Sequence, residues 1–404
     1  VDMLEGSSRV GELERRAIHE LTGRPPISVD LGEMKELYSG RRIMVTGAGG
    51  SIGSELCRQL ARFSPSSLVL YERDETNLFY VEQELRTSFP SARVAAVLGD
   101  VTAEKDVNEA FDRYRPEIIF HAAAYKHVPI LEFHPDVAVR VNVIGTHLLA
   151  RAAVRVGAEC FVYVSTDKAV NPSSVMGASK RLGEMLTTSM NGLGDVRFVA
   201  VRFGNVLDTR GSVSTVFREA IRRRQPIHVT DPGMKRYFML PSEAALLVMQ
   251  SVALGRGGEV FVLDMGNPVF ITDLAEAMIR AAGLVPNVDV PIVFTGARPG
   301  EKLFEELLTA EEGTIATANR NILRARISRQ NCYPDLLREI QGLERGMTKS
   351  SPEELRAEIF RVIRSALPES CALHMEPTAS GSYLGLDSLE VSSRILKAES
   401  GATS

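Results

Sequence analysis

The chain has 404 residues, of which 44% are hydrophobic and 24% are charged, an ordinary composition for a globular protein. Its 47 basic and 51 acidic side chains give a formal net charge of −4, so no basic excess indicates a nucleic-acid partner. The four cysteines lack metal-ligand spacing, and we predict that Cys57 and Cys160 are reduced core residues of a cytoplasmic protein without a metal site. No apolar run reaches the roughly 20 residues that span a bilayer.

A predicted strand over residues 41–46 runs into a glycine-rich turn and then a helix over 54–60. Three glycines in GxxGxxG spacing allow a tight turn, close approach of a pyrophosphate and packing of the helix against the strand. The helix N-terminus then faces the phosphate anions. The strand–turn–helix context indicates a dinucleotide-binding motif. The cofactor-binding residues predicted here are Gly47, Gly50, Ser51, Ile52 and Gly53.

The second predicted strand, over 67–71, ends at an acidic residue that bears on cofactor choice. Glu72 stands 19 residues after Gly53, where a carboxylate can accept a hydrogen bond from the ribose 2′-hydroxyl of NAD. Arg73 follows, and an arginine there could instead receive the 2′-phosphate of NADP. We predict NAD as the cofactor. The plain alternative is an acidic strand end that is exposed to solvent.

The remaining cofactor-binding predictions follow the next two strands, 94–98 and 118–121, and the helix after them. An aspartate at the third strand end can hydrogen-bond the adenine amine, and small residues at the fourth let a cofactor lie against the sheet. These residues are Asp100, Val101, Ala122, Ala123 and Asn142. The alternation predicts an α/β fold, a Rossmann-type doubly wound parallel sheet with a smaller C-terminal substrate-binding region.

A hydroxyl, a carboxylate and an amine follow the buried fifth strand, 161–164. Thr166, Asp167 and Lys168 would lie at the carboxyl end of that strand, where doubly wound sheets bind their ligands. They supply a hydrogen-bonding group, a proton donor and a potential base. The next helix carries Met176 and Lys180, which are four residues apart and share a face. The plain alternative is a capped helix start with solvated charges.

Six motifs in chain order carry a family resemblance: TGAGGSIG, HAAAYKHVP, VSTDKAVNPSSVMGASK, RFGNVLDTRGSV, TDPGMKRYFM and ARPGEKLFEELL. Across residues 40–325 the chain resembles the short-chain dehydrogenase/reductase superfamily. More closely, it resembles the UDP-N-acetylglucosamine 4,6-dehydratases of bacterial polysaccharide and glycan biosynthesis. The superfamily has a tyrosine four residues before its lysine, whereas this chain has Met176. That replacement resembles the configuration-retaining branch, in which membrane helices often precede the catalytic domain.

The resemblance implies NAD-dependent dehydration of UDP-N-acetylglucosamine to a UDP-4-keto-6-deoxy-N-acetylhexosamine. NAD⁺ takes hydride from C4, water is eliminated across C5 and C6, and hydride returns to C6. Asp167 would be the acid, Lys168 the base, Thr166 the group near the C4 oxygen, and Lys180 the residue that holds the nicotinamide ribose. Lys168 must lose its proton to act as a base, and the nearby cations Lys180 and NAD⁺ would favour that loss.

The resemblance also implies contacts with the UDP-sugar substrate. They comprise a nucleotide-sugar loop, two arginines for the diphosphate, a glutamate for the uridine ribose and two residues at the cleft mouth. In that order they are Asn205, Ser212 and Val213; Arg236 and Arg298; Glu301; and Lys126 and His127. Arginine suits a diphosphate because its guanidinium donates two parallel hydrogen bonds. Taken singly, each of these residues could be a solvated surface group.

We predict four segments in the chain. They are a polar arm over 1–38 with a helix over 9–21, an NAD-binding domain over 39–203 with a returning segment near 228–265, a nucleotide-sugar-binding region over 204–330, and C-terminal helices with a tail over 331–404. The resemblance implies a homo-oligomer. It also implies that a membrane anchor could precede the chain, which would then be the cytosolic domain of an inner-membrane protein.

Two other functions stay open from the sequence. A UDP-sugar 4-epimerase has the same glycines and lysine but normally needs the tyrosine, so Met176 and the pair Asp167 and Lys168 count against it. A non-catalytic NAD-binding sensor of the same fold can lose its charged groups, whereas this chain keeps Thr166, Asp167, Lys168 and Lys180 together. The fold alone would not separate these functions.

Overall fold

A nine-stranded sheet forms the centre of the described part of the chain. Its strands are β1 (Arg42–Thr46), β2 (Ser67–Glu72), β3 (Val94–Leu98), β4 (Ile118–His121), β5 (Cys160–Val164), β6 (Arg197–Arg202), β7 (Glu259–Leu263), β8 (Gly313–Ala316) and β9 (Ile322–Arg326). Their order across the sheet is β8-β9-β7-β6-β5-β4-β1-β2-β3. Strands β1 to β7 are parallel, which confirms the predicted sheet, and β8 and β9 add an antiparallel hairpin at one edge.

The computed structural model describes residues 20–23, 27, 29–296, 298, 300–309, 312–326 and 332–365. All but the last two residues of the predicted helix over 9–21 lie outside these ranges, as do residues 366–404, which include the predicted tail.

Helices cover both faces of the sheet, as a doubly wound fold requires. They are α1 (Leu31–Tyr38), α2 (Ser51–Ala61), α3 (Glu75–Ser88), α4 (Glu104–Tyr114), α5 (Val128–Leu131), α6 (Pro135–Val156), α7 (Val175–Ser189), α8 (Val213–Arg222), α9 (Pro241–Leu254), α10 (Ile271–Ala281), α11 (Tyr333–Gly346) and α12 (Pro352–Arg364). One apolar cluster joins the sheet to α1, α2, α3 and α9, and a second joins it to α4, α6, α7, α11 and α12.

A third apolar cluster forms the core of the smaller C-terminal region. It is built from the inner faces of α8 and α10 and from short strands between them, including Ile227–Val229. Helix α8 begins at Val213, directly after the extended residue Ser212. The smaller region therefore has an apolar core of its own.

One helical run among the described residues, α6, is long and apolar enough to cross a membrane by length and composition. In the fold, 61% of its most apolar window is buried. A core helix passes the same test, so the run is weak evidence for a membrane span. The helix contains a π-helical segment, Val139–Ile144, and such segments often occur at functional sites.

The strand register brings the ends of four strands to one edge of the sheet. Thr46 pairs with Tyr71 on one side and with His121 on the other, and His121 pairs with Tyr163. Because these strands are parallel, the segments that follow them leave the sheet at the same edge. The candidate site is assembled there.

Candidate active site

The glycine-rich turn between β1 and α2 is packed so closely that side chains are excluded. Gly47 has a positive φ of 67°. A Cβ added to it would lie 2.7 Å from the backbone of Ala123, and a Cβ on Gly53 would lie 2.0 Å from the Gly47 carbonyl oxygen. Ser51 and Ile52 form the first turn of α2. The turn therefore presents backbone without side chains beside a helix N-terminus, the arrangement that binds anions.

The carboxylate of Glu72 is fixed beside this turn. It accepts hydrogen bonds from the backbone N–H groups of Gly49 at 2.9 Å, Arg73 at 2.9 Å and Asp74 at 3.0 Å. The Arg73 guanidinium lies 3.7 Å from Asp100 and 5.3 Å from the centre of the Tyr125 ring. The arginine is thus engaged away from Glu72.

The other predicted cofactor residues lie at the ends of β3 and β4. Asp100 accepts hydrogen bonds from the N–H and hydroxyl of Thr102, both at 2.8 Å, and Val101 packs against α6 at Gly145. The side-chain amide of Asn142, in the π-helical segment, makes hydrogen bonds with the protein backbone. It accepts from the Tyr125 N–H at 2.9 Å and donates to the Tyr125 carbonyl at 3.0 Å. Asn142 therefore holds the segment that follows Ala122 and Ala123.

The trio after β5 forms one hydrogen-bonded group. Asp167 is fully buried, and its Oδ1 accepts from the Thr166 hydroxyl and from the Lys168 amine, each at 2.9 Å. Lys168 also donates to Asn205 Oδ1 at 3.1 Å. In the described part of the chain, Asp167 Oδ2 is buried and has no hydrogen-bond partner. A Cβ on Gly177 would lie 2.2 Å from the Lys168 carbonyl oxygen, so this glycine lets α7 pack directly on the trio.

Helix α7 carries Lys180 and Met176 behind the trio. The Lys180 amine is buried and donates to the Val164 carbonyl at 2.7 Å. Burial lowers the pKa of Lys180 to about 7, although the Glu184 carboxylate acts in the opposite direction. Met176 is 3% exposed and belongs to the apolar cluster on this face. A thioether cannot ionise, so the position of the superfamily tyrosine has no proton to exchange.

A cavity of about 320 Å³ collects most of the predicted substrate residues. Its wall includes Lys126, His127, Lys168, Asn205, Val213, Arg236, Arg298 and Glu301. Ser212 is not in this wall and stands at the start of α8. Burial and the neighbouring cations Arg210 and Lys168 lower the pKa of Lys126. A larger, adjoining cavity of about 720 Å³ is lined by residues of α8 and of the segment 225–228. Thr166, Asp167 and Lys168 do not line it.

Arg236 is used largely for structure. Its guanidinium donates to the backbone carbonyls of Lys235 at 2.8 Å, Leu303 at 3.1 Å and Lys302 at 2.7 Å. These bonds fix the segment 302–303 to the cavity wall. Fewer of its donors are then free for a diphosphate than the sequence suggested.

Three residues in the site were missed from the sequence. Lys302 and Glu305 line the cavity, and both stand in the quoted ARPGEKLFEELL motif, which was the available signal. Arg210 lies over the glycine-rich turn: its N–H donates to the Ser51 hydroxyl at 3.0 Å, and its guanidinium contacts the Gly49 carbonyl. No spacing rule relates residue 210 to residue 49, so sequence reasoning had no means to pair them.

The parallel sheet, the glycine-rich turn and the lysine of α7 define a Rossmann-like protein of the short-chain dehydrogenase/reductase fold. Within that class, the chain belongs to the polysaccharide biosynthesis protein family, whose model matches residues 43–327. It is 45% identical over 313 residues to the capsular polysaccharide biosynthesis protein CapD of Staphylococcus aureus, covering 77% of this chain and 52% of that protein. It is 41% identical over 369 residues to the probable polysaccharide biosynthesis protein EpsC of Bacillus subtilis, covering 90% and 60%. The chain thus spans only part of the length of these relatives.

Solved structures agree with this fold. Pen from Bacillus thuringiensis is 30% identical with a TM-score of 0.66, over 71% of this chain and 88% of that one. DesIV from Streptomyces venezuelae, a dTDP-glucose 4,6-dehydratase with NAD and DAU bound, is 22% identical with a TM-score of 0.57, over 66% and 88%. At that identity the second likeness shows the fold alone.

Proposed function

We propose that this chain is an NAD-dependent 4,6-dehydratase that converts UDP-N-acetylglucosamine to a UDP-4-keto-6-deoxy-N-acetylhexosamine. The observation that carries the proposal is the hydrogen-bonded trio Thr166, Asp167 and Lys168, in which Asp167 is buried and Lys168 lines the cavity, combined with Met176 in the tyrosine position. Elimination of water next to a ketone needs a base for the C5 proton and an acid for the C6 hydroxyl. An amine and a carboxyl 2.9 Å apart supply both.

The glycine-rich turn, Glu72 and Lys180 support NAD as the cofactor. The turn excludes side chains where a pyrophosphate would approach the backbone. Glu72 offers a fixed carboxylate for the 2′-hydroxyl, and Lys180 has a buried amine with only one carbonyl acceptor among its hydrogen bonds. NAD would supply reversible acceptance of hydride from the sugar, and the residues of the chain would handle the protons.

The proton chemistry depends on the hydrogen bond between Lys168 and Asp167. The chemistry requires a neutral Lys168 amine beside the Asp167 carboxylate, 2.9 Å away. As hydride leaves C4, the C4 hydroxyl would give its proton to Asp167 through Thr166, which donates to the same Asp167 oxygen. The Lys168 amine then takes the C5 proton, and the Asp167 carboxyl gives its proton to the leaving C6 hydroxyl, which departs as water. When hydride returns to C6, the Lys168 ammonium gives its proton to C5, and both residues regain their starting forms.

The test is incubation of the purified chain with NAD and UDP-N-acetylglucosamine, followed by mass spectrometry. A dehydratase yields a product that is lighter by one water. A product of unchanged mass with an altered sugar would identify a 4-epimerase instead, and cofactor binding without any product would favour the sensor. In heavy water, Lys168→Ala should prevent uptake of deuterium at C5, while Asp167→Asn should still permit it and slow the loss of water.

A further inference from the structure

Glu305 is a buried carboxylate in the cavity wall that the proposed proton chemistry does not use. The residue is 8% exposed. Its Oε1 lies 3.8 Å from the Lys168 amine and 3.8 Å from the Arg236 guanidinium, beyond hydrogen-bond distance in both cases. Its Oε2 is buried and has no hydrogen-bond partner among the residues that the structure describes. Leaving such an oxygen unpaired costs free energy, so it marks a place where a donor is expected to bind.

The segment that carries Glu305 is held on two sides. Lys302 donates to the Val170 carbonyl at 3.0 Å, and Ser173 donates to the Gly300 carbonyl at 3.0 Å, which ties the segment to the stretch after the trio. On the other side, Arg236 donates to the carbonyls of residues 302 and 303. The carboxylate is therefore preorganised in the cavity wall, as binding residues are.

The charges around Glu305 place it in the same group as the trio. Burial raises the pKa of Glu305 and so does Asp167, while the cations Lys168, Arg236 and Lys302 oppose the rise. Lys168 has Asp167 Oδ1 at 2.9 Å and Glu305 Oε1 at 3.8 Å. A sugar that is bound by Glu305 would thus lie within reach of the Lys168 amine.

We infer that Glu305 binds a hydroxyl group of the sugar ring through its unpaired Oε2 and so positions the ring against Lys168. The inference rests on the proposed function to the extent that it requires a nucleotide sugar in the cavity. It assigns Glu305 to the sugar because Oε1 lies as close to the Lys168 amine, the proposed C5 base, as to Arg236, whose guanidinium is already held by backbone carbonyls.

The experiment compares two ligands and three proteins by calorimetric titration in the presence of NAD. UDP and UDP-N-acetylglucosamine share the nucleotide and differ in the sugar. For Glu305→Gln, we expect the Kd of UDP-N-acetylglucosamine to rise by roughly tenfold, because a neutral amide acceptor replaces a charged one and hydrogen bonds to charged groups are stronger. The Kd of UDP should stay the same. Glu306→Gln is the matched control, since Glu306 is adjacent, is exposed and contacts Asn171 and Lys302; both its affinities should match the parent protein.

Two results would overturn the inference: equal weakening of both ligands by Glu305→Gln, which would indicate a disturbed segment, or no weakening of either. If Glu305→Gln does not fold, Glu305→Asp keeps the charge and shortens the side chain, and it should show the same selective loss for the sugar ligand. A different result would contradict the proposed function: UDP-N-acetylglucosamine binds to the protein but loses no water. A parent protein that binds neither ligand would contradict both.

Discussion

The amine of Lys180 sits inside the protein with one carbonyl acceptor and the face of an aromatic ring. It is 6% exposed, donates to Val164 at 2.7 Å and lies 4.0 Å from the centre of the Tyr163 ring. Burial lowers the pKa of Lys180 to about 7, against about 10.4 in an unfolded chain. A side chain kept near the point of charge change at neutral pH can respond to a bound cation or hydroxyl.

This burial predicts a specific dependence of stability on pH. Between pH 7 and about 10 the unfolded chain binds more protons at residue 180 than the folded chain does, so stability from this site rises as the pH rises. Between pH 7 and pH 9 the gain is roughly 2 kcal/mol. Lys180→Met should lack it, whereas Lys105→Met, at an exposed surface lysine, should follow the parent protein. Urea unfolding at both pH values measures the difference, and parallel behaviour of Lys180→Met and the parent would show that Lys180 is not buried as an amine.

Glu72 allows a prediction on cofactor choice. Three backbone N–H groups hold its carboxylate in place, and Arg73 is engaged with Asp100. A 2′-phosphate would meet a fixed like charge, which costs about 1 kcal/mol near the surface, or roughly fivefold in affinity. We expect tighter binding of NAD than of NADP, and a smaller preference in Glu72→Gln. Titration of both cofactors tests this, with Glu75→Gln as the control; tighter NADP binding by the parent would mean that Arg73 dominates.

At the scale of elements, the contact between the glycine-rich turn and α2 leaves different amounts of space at two glycines of the motif, Gly50 and Gly53. A Cβ on Gly53 would lie 2.0 Å from the Gly47 carbonyl oxygen and 2.7 Å from its carbon, whereas a Cβ on Gly50 would lie 3.0 Å from the same oxygen. Gly53→Ala must therefore displace the helix from the turn, and Gly50→Ala needs only a small adjustment. Gly53 therefore maintains the packing of the helix against the turn, whereas a side chain at Gly50 requires a shift of a few tenths of an ångström.

We expect Gly53→Ala to lose both NAD binding and the packing of α2, whereas Gly50→Ala should keep the fold and weaken NAD binding only as far as its methyl group meets the pyrophosphate. The gain of helix propensity from glycine to alanine favours the variant at Gly53, which lies inside α2, so a loss there cannot come from propensity. Quenching of NADH fluorescence, together with the circular dichroism of both variants, measures the effect. If Gly53→Ala bound NAD as tightly as the parent protein does, the turn would move freely relative to the helix.

The elements also show which features a sequence can predict. Strands β1, β4 and β5 are buried on both faces, so each reads as a continuous apolar run. The hairpin of β8 and β9 was not predicted, because β8 has mostly exposed residues and no alternating pattern. The position of Glu305 was equally hidden, since it depends on bonds such as that between Lys302 and Val170, 132 residues apart. Local patterns predict elements, whereas the cavity wall depends on distant contacts.

At the scale of the whole molecule, a buried ion network connects the sheet, α7 and the segment before β8. Arg202 and Glu184 are buried and joined by hydrogen bonds of 2.8 Å, and Arg202 also donates to Glu312 at 2.7 Å. Burial alone would raise the pKa of Glu184. The Arg202 guanidinium opposes this effect, and the pKa of Glu184 lies below its usual value. The network ties the helix of Lys180 to the edge of the sheet that carries the antiparallel hairpin.

The C-terminal helices α11 and α12 follow the residues matched by the family model and also pack against α7. Leu336 in α11 and Ile359 in α12 are fully buried in the cluster that contains Met176. Arg356 in α12 donates to Glu132 Oε2 at 3.1 Å, and Glu132 Oε1 accepts from the N–H of Val175 at 2.6 Å. The two helices therefore complete the core and also fix the first turn of α7, next to the trio.

If these helices belong to the catalytic core, single cavities in them should destabilise the whole protein. Leu336→Ala and Ile359→Ala should each lower the free energy of unfolding by about 2–5 kcal/mol, the usual cost of truncating a fully buried aliphatic side chain. Leu31→Ala is the control, because Leu31 is 63% exposed, and its effect should be within about 0.5 kcal/mol. Urea unfolding followed by far-UV circular dichroism gives the values. If both variants unfold like the control, or lose only a small early phase, α11 and α12 unfold separately and do not support the site.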